Sequence, residues 1–290
     1  MADGALALDM PRAVRRRFAR PSKLTVVGTV LVGTILVAGV FAPVLAPYDP
    51  KIATGLPFES PSFGHVLGTN DIGQDIFSEM MWGARVSLTV GILAALVATT
   101  IGTLVGLVAG YFRGFTDALL MRAVDVVLAL PFLPLMILLA AFLGPSLLTI
   151  VLVVGLVSWA RPSRVIRSVV LSLAAREYVT AARGLGASSA RIIVRHLLPG
   201  TIALMVVEFV QAAAGAILIE SSLSFLGLGD PIQKSWGSIL YYAQARSAFL
   251  SGSWVWWVIP PGVAITMTVL GLAFIAFSLE RLANPRLIRR

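Results

Sequence analysis

Apolar residues run through this chain in blocks far longer than any amphipathic repeat. No charged residue lies between Lys23 and Asp49, between Arg85 and Arg113, between Asp125 and Arg161, or between Arg246 and Glu280. A helix that crosses a bilayer needs about 20 mostly apolar residues. These blocks therefore predict at least five crossings, with two in the 125–161 block on either side of Gly144-Pro145. The stretch 201–224, which carries Glu208 and Glu220, predicts a sixth. The spans read as 24–46, 86–108, 119–143, 147–164, 201–224 and 258–279. Pro131 and Pro134 fall inside the third and should kink it, because proline removes a helical donor and crowds the preceding turn.

Composition agrees. Of the 290 residues, 58% are hydrophobic and 13% charged, with a mean hydropathy of +0.90. A water-soluble domain could not cover that much apolar surface. The class is an all-α polytopic membrane protein. Charge then orients it. Nineteen of the 23 lysines and arginines fall in the N-terminal tail, the 113–122 loop, the 161–195 segment and the C-terminus. The alternate loops hold only Lys51, Arg85, Lys234 and Arg246, against Asp49, Glu59, Asp71, Asp75, Glu79 and Asp230. Basic loops stay in the cytoplasm, so both termini are expected inside. The net charge of +9 is read as this bias plus attraction to anionic lipid, with no call for nucleic acid. Arg15-Arg16-Arg17 precedes an apolar run too long for a cleaved leader, which is read as a retained span. With no cysteine, thiolate metal sites and disulfides are excluded.

Domain organisation follows. Residues 1–23 form a basic tail, 24–46 the first span, 47–85 an external loop, 86–285 the core, and 286–290 a short tail. The external loop carries a Gly/Asn/Asp turn and then an amphipathic helix over 65–88. A second external segment, 225–257, gathers Trp236, Tyr241, Tyr242, Trp254, Trp256 and Trp257, a pattern expected of an interfacial aromatic belt. Three acids fall within predicted spans, where ionisable groups are costly and face cavities or partner helices. Glu208 lies about 10 Å into span five with Gln211 about 60° around the helix, so the pair could line a polar path, with a hydrogen bond from Glu208 to a neighbouring helix as the equal alternative. Glu220 points opposite to Gln211, beside Ser221, Ser222 and Ser224 near the outer boundary, and is expected as a structural or gating contact. Asp125 is expected to pair with Arg122 one turn earlier.

The segment 165–200 is distinctive. Arginines continue the fourth span's helix out of the membrane. Gly184 and Gly186 then offer left-handed stops, and Ser188 or Ser189 an N-cap for a second helix over 190–197. That helix shows Arg191 and Arg195 on one side and Ile192, Ile193, Val194, Leu197 and Leu198 on the other, and Pro199 is expected to end it. A soluble-looking helical hairpin between two spans is a handle for a partner. No lysine sits in a G-x-x-x-x-G-K-[ST] context, so the chain is not expected to hydrolyse ATP.

The stretch EYVTAARGLGAS…RIIVRHLLP resembles the EAA loop of ABC-importer permeases, with Ala181-Ala182, Gly186 and Leu198-Pro199 at the family's spacing. Thr180 stands where the glutamate would be, with Glu177 one turn earlier, and Gly200 where asparagine is usual. HVLGTNDIGQDIFSEMMWGARVSL is similar to the external signature of the dipeptide/oligopeptide/nickel branch, with Asn70, Gln74 and Glu79 as departures. MRAVDVVLALPFLPL and AILIESSLSFLGLGDP resemble that branch's third span and its exit from the fifth. The resemblance covers about residues 24–285 and points to the shorter, C-type permease.

It implies the type I importer fold with six spans and coupling helices between the fourth and fifth. It also implies a B-type sister permease, two ATPase subunits that hold ATP and magnesium (this chain holding neither), and an extracytoplasmic binding protein, all at the bacterial cytoplasmic membrane. Glu177, Tyr178, Thr180, Ala181, Ala182, Gly184, Gly186, Ala187, Arg191, Arg195, His196 and Pro199 would then meet an ATPase. Asp125, Glu208, Gln211 and Glu220 would serve the path or its gate. Asn70, Asp71, Gln74, Asp75, Gly229 and Asp230 would meet the binding protein. Peptides are the expected cargo, with nickel, haem or glutathione as alternatives. A stand-alone secondary transporter or channel, and a membrane scaffold, are the rivals from other classes.

Overall fold

The computed structural model describes residues 22–283, whose regular elements are helices joined by loops. The basic tail expected at 1–23 and the arginines past residue 283 lie outside them, apart from Ser22 and Lys23. The helices in order are α1 (Lys23–Val40), α2 (Ala42–Leu45), α3 (Ile76–Phe112), α4 (Gly114–Ala129), α5 (Phe132–Leu143), α6 (Leu147–Ser158) and α7 (Ala160–Ala174). There follow α8 (Glu177–Gly184), α9 (Ser189–Ile192), α10 (Leu198–Leu223), α11 (Trp236–Ala245), α12 (Ala248–Ser251), α13 (Trp254–Trp257) and α14 (Ile259–Ala283). Four helical stretches are long and apolar enough to cross a membrane: 23–40, 76–112, 189–228 and 254–281. Two bent pairs, α4–α5 and α6–α7, raise the number to six when each pair counts as one span.

The α4–α5 break measures 87°. It falls at Leu130 and Pro131, which take extended backbone torsions. Proline disfavours helix in the residue before it, so the expected kink is realised as a near right angle. Pro134, by contrast, sits inside the first turn of α5, where a missing donor costs little.

Helix α3, 37 residues long, extends about 55 Å at 1.5 Å per residue, well beyond the ~30 Å of bilayer hydrocarbon. Its start is fixed by Asp75, whose carboxylate accepts from the Ser78 amide at 2.7 Å, a side-chain N-cap. Along its far half Gly102, Gly106 and Gly110 lie against α7. A methyl group at Gly106 would come within 2.8 Å of the Ser163 carbonyl and of Ile166. Small residues one turn apart let two backbones approach closely, a packing device suited to lipid surroundings. Helix α1 meets α14 in the same way, Gly28 against the Gly271 carbonyl.

Buried side chains form three clusters. One lies at the end holding the 47–75 loop, around Ile76, Trp236, Ile239 and Trp257. A second lies midway, around Val90, Met136, Ile150 and Val154. The third lies under the 177–197 hairpin, around Tyr111, Ile166, Val170, Val179, Ile192 and Leu197. Two of the tryptophans expected in an aromatic belt, Trp236 and Trp257, are instead core residues at 2% and 0% exposure. The reason is local: α11 and α13 fold back onto α3 and α14, and the Trp236 indole donates to the Met80 carbonyl at 3.0 Å.

Candidate functional site

The hairpin is built from two short helices seated on the third cluster. Helix α8 ends in a Schellman motif. The Ala187 amide donates to the Ala182 carbonyl at 3.1 Å and the Gly186 amide to the Arg183 carbonyl at 3.0 Å, while Gly186 takes φ +80°. Gly184, the other expected stop, stays helical. Ser188 accepts from the Arg191 amide at 3.4 Å and caps α9.

The second helix does not end at Pro199. A π-helical turn over Ile193–Leu197 joins α9 to α10, with the Leu198 amide donating to the Ile193 carbonyl. Proline cannot donate and crowds the carbonyl four residues back. The one-residue register shift just before Pro199 absorbs that conflict, so the hairpin's second arm and the fifth span form one continuous helical stretch, 189–228.

Val179, Ile192 and Leu197 are fully buried and anchor the hairpin on Tyr111, Ile166 and Val170. Arg183 lies over the Tyr111 ring at 5.3 Å, and the Tyr111 hydroxyl donates to Ser189 Oγ at 3.3 Å. Of the residues expected to meet a partner, Glu177, Tyr178, Thr180, Ala181, Gly184, Gly186, Arg191, Arg195 and Pro199 are exposed, and Ala182, Ala187 and His196 are half-buried. Tyr178 packs near His196, ring centres 6.0 Å apart. Val194, expected on the apolar side of the second helix, is 61% exposed, and Leu185, absent from the expected contacts, is 89% exposed. The signal for Leu185 was available, since an apolar side chain between Gly184 and Gly186 has no helix face to hide in.

A second feature is a cavity of about 310 Å³ at the α4–α5 bend, lined by Glu208, Gln211, Arg161, Ser158, Leu130 and Phe132 among others. Glu208 and Gln211 thus share one wall as their spacing predicts. Among the described residues no hydrogen bond reaches the Glu208 carboxylate, although its residue is only 7% exposed. Glu220 is different. It is 1% exposed and accepts from Ser87 at 3.0 Å, Ser224 at 2.7 Å and Ser221 at 3.4 Å. It joins α10 to α3 and lies away from the cavity lining.

Asp125 pairs with Arg164 of α7, not with Arg122 on its own helix. About two turns back along α4 and one turn on along α7, Arg167 forks onto Asp117 through Nε–Oδ1 and Nη2–Oδ2 contacts of 2.5 Å each. Because α7 lies alongside α4, its arginines reach across, which no spacing within α4 could reveal.

At the other end of the molecule the polar residues expected to face outward are largely internal. Asn70 donates to Gln74 Oε1 and Glu79 Oε1, both at 2.9 Å, and accepts from the amides of Ile72 and Gln74 at 3.0 Å. Asp75, fully buried, caps α3 and meets His65 Nδ1 at 3.0 Å. Lys234 crosses from the second loop to donate to Gln74 at 2.7 Å and to pair with Glu79. Gly229 is buried. Asp230 accepts from the Leu147 amide at 3.0 Å and from two amides of its own loop. Asp71 is half-buried and meets Arg246 at 3.4 Å.

These features have known counterparts. Residues 102–289 match the family described as binding-protein-dependent transport system inner membrane component, and residues 12–61 match the N-terminal transmembrane domain of oligopeptide transport permease C. The chain belongs to the former family, the permease components of ABC importers. It is 36% identical over 284 residues to a putative peptide transport system permease protein of Brucella suis biovar 1, covering 97% of this chain and 92% of that one. It is 35% identical over 276 residues to the dipeptide transport system permease protein DppC of Bacillus subtilis, covering 94% and 85%.

Proposed function

We propose that this chain is one of two permease subunits of a peptide importer in the bacterial cytoplasmic membrane, with six spans and both termini in the cytoplasm. The peptide cargo is supported by the names of relatives that match nearly the whole chain. Orientation is supported by the crowding of arginine on the hairpin side. ATP and magnesium belong to two separate ATPase subunits, and a soluble binding protein delivers cargo to the opposite face.

The observation that carries the reading is the hairpin's construction. Its outer surface offers exposed Tyr178, Leu185 and Val194 among arginines, while its inner surface is fixed to α3 and α7 by fully buried side chains. A short apolar face ringed by charge suits helix-in-groove docking, with the charges setting register. A load applied there would pass directly into α10 through the unbroken helical stretch, and so to Glu208 and Gln211 at the cavity. Asp125 would hold α4 to α7 during that motion, and Glu220 would hold α10 to α3. Asn70, Gln74, Asp75 and Gly229 would serve the binding protein by shaping the loops, leaving Asp71 and Asp230 nearer the contact.

Affinity purification of the full chain from its own membranes tests the assignment. Two ATPase polypeptides and a second permease are expected to co-elute, and Gly186→Val is expected to lose the ATPases. Recovery of the chain alone, still carrying peptide uphill in vesicles, would overturn it.

A further inference from the structure

Four basic side chains lie on the face opposite the hairpin, Lys51, Arg85, Lys234 and Arg246, and three of them line one half-open cavity of about 650 Å³. Lys234 is neutralised there by Glu79. Among the described residues neither Lys51 nor Arg85 forms an ion pair. The cavity therefore presents two cations without a side-chain ion pair, the Asp49 carboxylate accepting from the Lys51 backbone amide at 2.8 Å, on a face otherwise rich in acids. Its wall is part aromatic and apolar, with Trp82 beneath the Arg85 guanidinium at 5.9 Å and Val86 beside it.

The same face of α3 continues downward as an exposed apolar stripe. Ile92 and Leu96 are 43% and 54% exposed, and helix geometry puts them below Arg85 on one side. From Arg85 to Leu96 is about 16 Å along the axis, the depth of one leaflet's share of a ~30 Å hydrocarbon layer. Cations above and hydrocarbon below, at leaflet spacing, match an amphiphile with an anionic head.

We propose that this cavity binds the phosphodiester headgroup of an anionic phospholipid from the leaflet opposite the hairpin, between Lys51 and Arg85, with an acyl chain along Ile92 and Leu96. The proposal rests on the chain's crossing the membrane and is independent of its cargo.

The test uses the full chain in phosphatidylcholine nanodiscs doped with phosphatidylglycerol brominated on its acyl chains. Quenching at Trp82 is isolated as the difference between the wild type and Trp82→Phe. Phosphatidylglycerol is expected to quench at far lower mole fraction than equally brominated phosphatidylcholine. Lys51→Gln and Arg85→Gln should each weaken it about five-fold, and the double variant roughly 25-fold, from about 1 kcal/mol per cation near an anionic surface. Lys51→Arg with Arg85→Lys should retain it, and if the neutral variants fail to fold, this pair and the comparison of the two lipids decide. Equal quenching by both lipids, or quenching unchanged in a folded double variant, would overturn the proposal. Soluble glycerol phosphate at high concentration should relieve the quenching as a headgroup competitor, and its failure to do so would overturn the proposal. Relief by an acidic peptide but not by glycerol phosphate would also overturn it and assign the cavity to a carboxylate.

Discussion

The two ends of this molecule look alike as sequence and are built in opposite ways. Both are polar, glycine-containing segments between apolar spans. At the 47–75 end, Asn70, Gln74, Asp75 and Glu79 are buried and bonded to one another, to His65 and to Lys234. At the 177–197 end the polar side chains point to water, and the buried groups are the apolar Val179, Ile192 and Leu197. A buried polar group must find partners inside the protein, so the first end is a closed knot. The second leaves its chemistry available. Polarity in a loop therefore says nothing about whether the loop meets another molecule; only the bonding does.

The sharpest way to break that contrast is at the knot. Glu79→Ala leaves the half-buried Lys234 ammonium and the buried Asn70 amide with Gln74 as their remaining side-chain partner, and losing a buried acceptor costs about 1–3 kcal/mol. A large fall in the unfolding midpoint in detergent is expected, and an unchanged midpoint would mean the network is incidental. At the hairpin, Gly186→Val should cost about 1–2 kcal/mol, since a branched residue is forced into the left-handed region with no neighbour within 4 Å to clash. Coupled uptake and ATPase association should nevertheless fall at least ten-fold, read by transport assay and co-purification. Leu185→Ala, at an 89% exposed site, should leave stability within about 0.5 kcal/mol and still reduce ATPase association several-fold. The smallest effect is expected at the rim of the knot. Asp71→Asn removes the ion pair with Arg246, whose side chain is 59% exposed, and should lower stability by at most about 1 kcal/mol.

Much of the architecture was legible because the bilayer imposes length and apolarity on whole segments. The long runs, the break at Pro131 and the shared wall of Glu208 and Gln211 all follow from spacing along one helix. What was not legible depended on neighbours from distant sequence. Asp125 selects Arg164 over the nearer Arg122 because α7 packs on α4. Asn70 and Asp75 turn inward because His65, Glu79 and Lys234 converge on them. Trp236 and Trp257 leave the membrane boundary for the core because α11 and α13 fold back. At the hairpin the motif located an exposed face, proposed above to meet a partner, but left out Leu185, whose prominence comes from the turn's shape and not from any repeat.

The π-helical turn at Ile193–Leu197 has a consequence for how such a chain tolerates insertion and deletion. It holds one surplus residue, a hiccup in the screw that joins the hairpin's second arm to a lipid-embedded shaft. Losing any single residue there would restore ordinary winding and swivel the arm by about 100° around the shaft, turning its outward face aside while the portion within the bilayer stayed as it was. The phase between those two parts is thus set by a count of residues, and that count is as much a part of the working surface as the side chains on it.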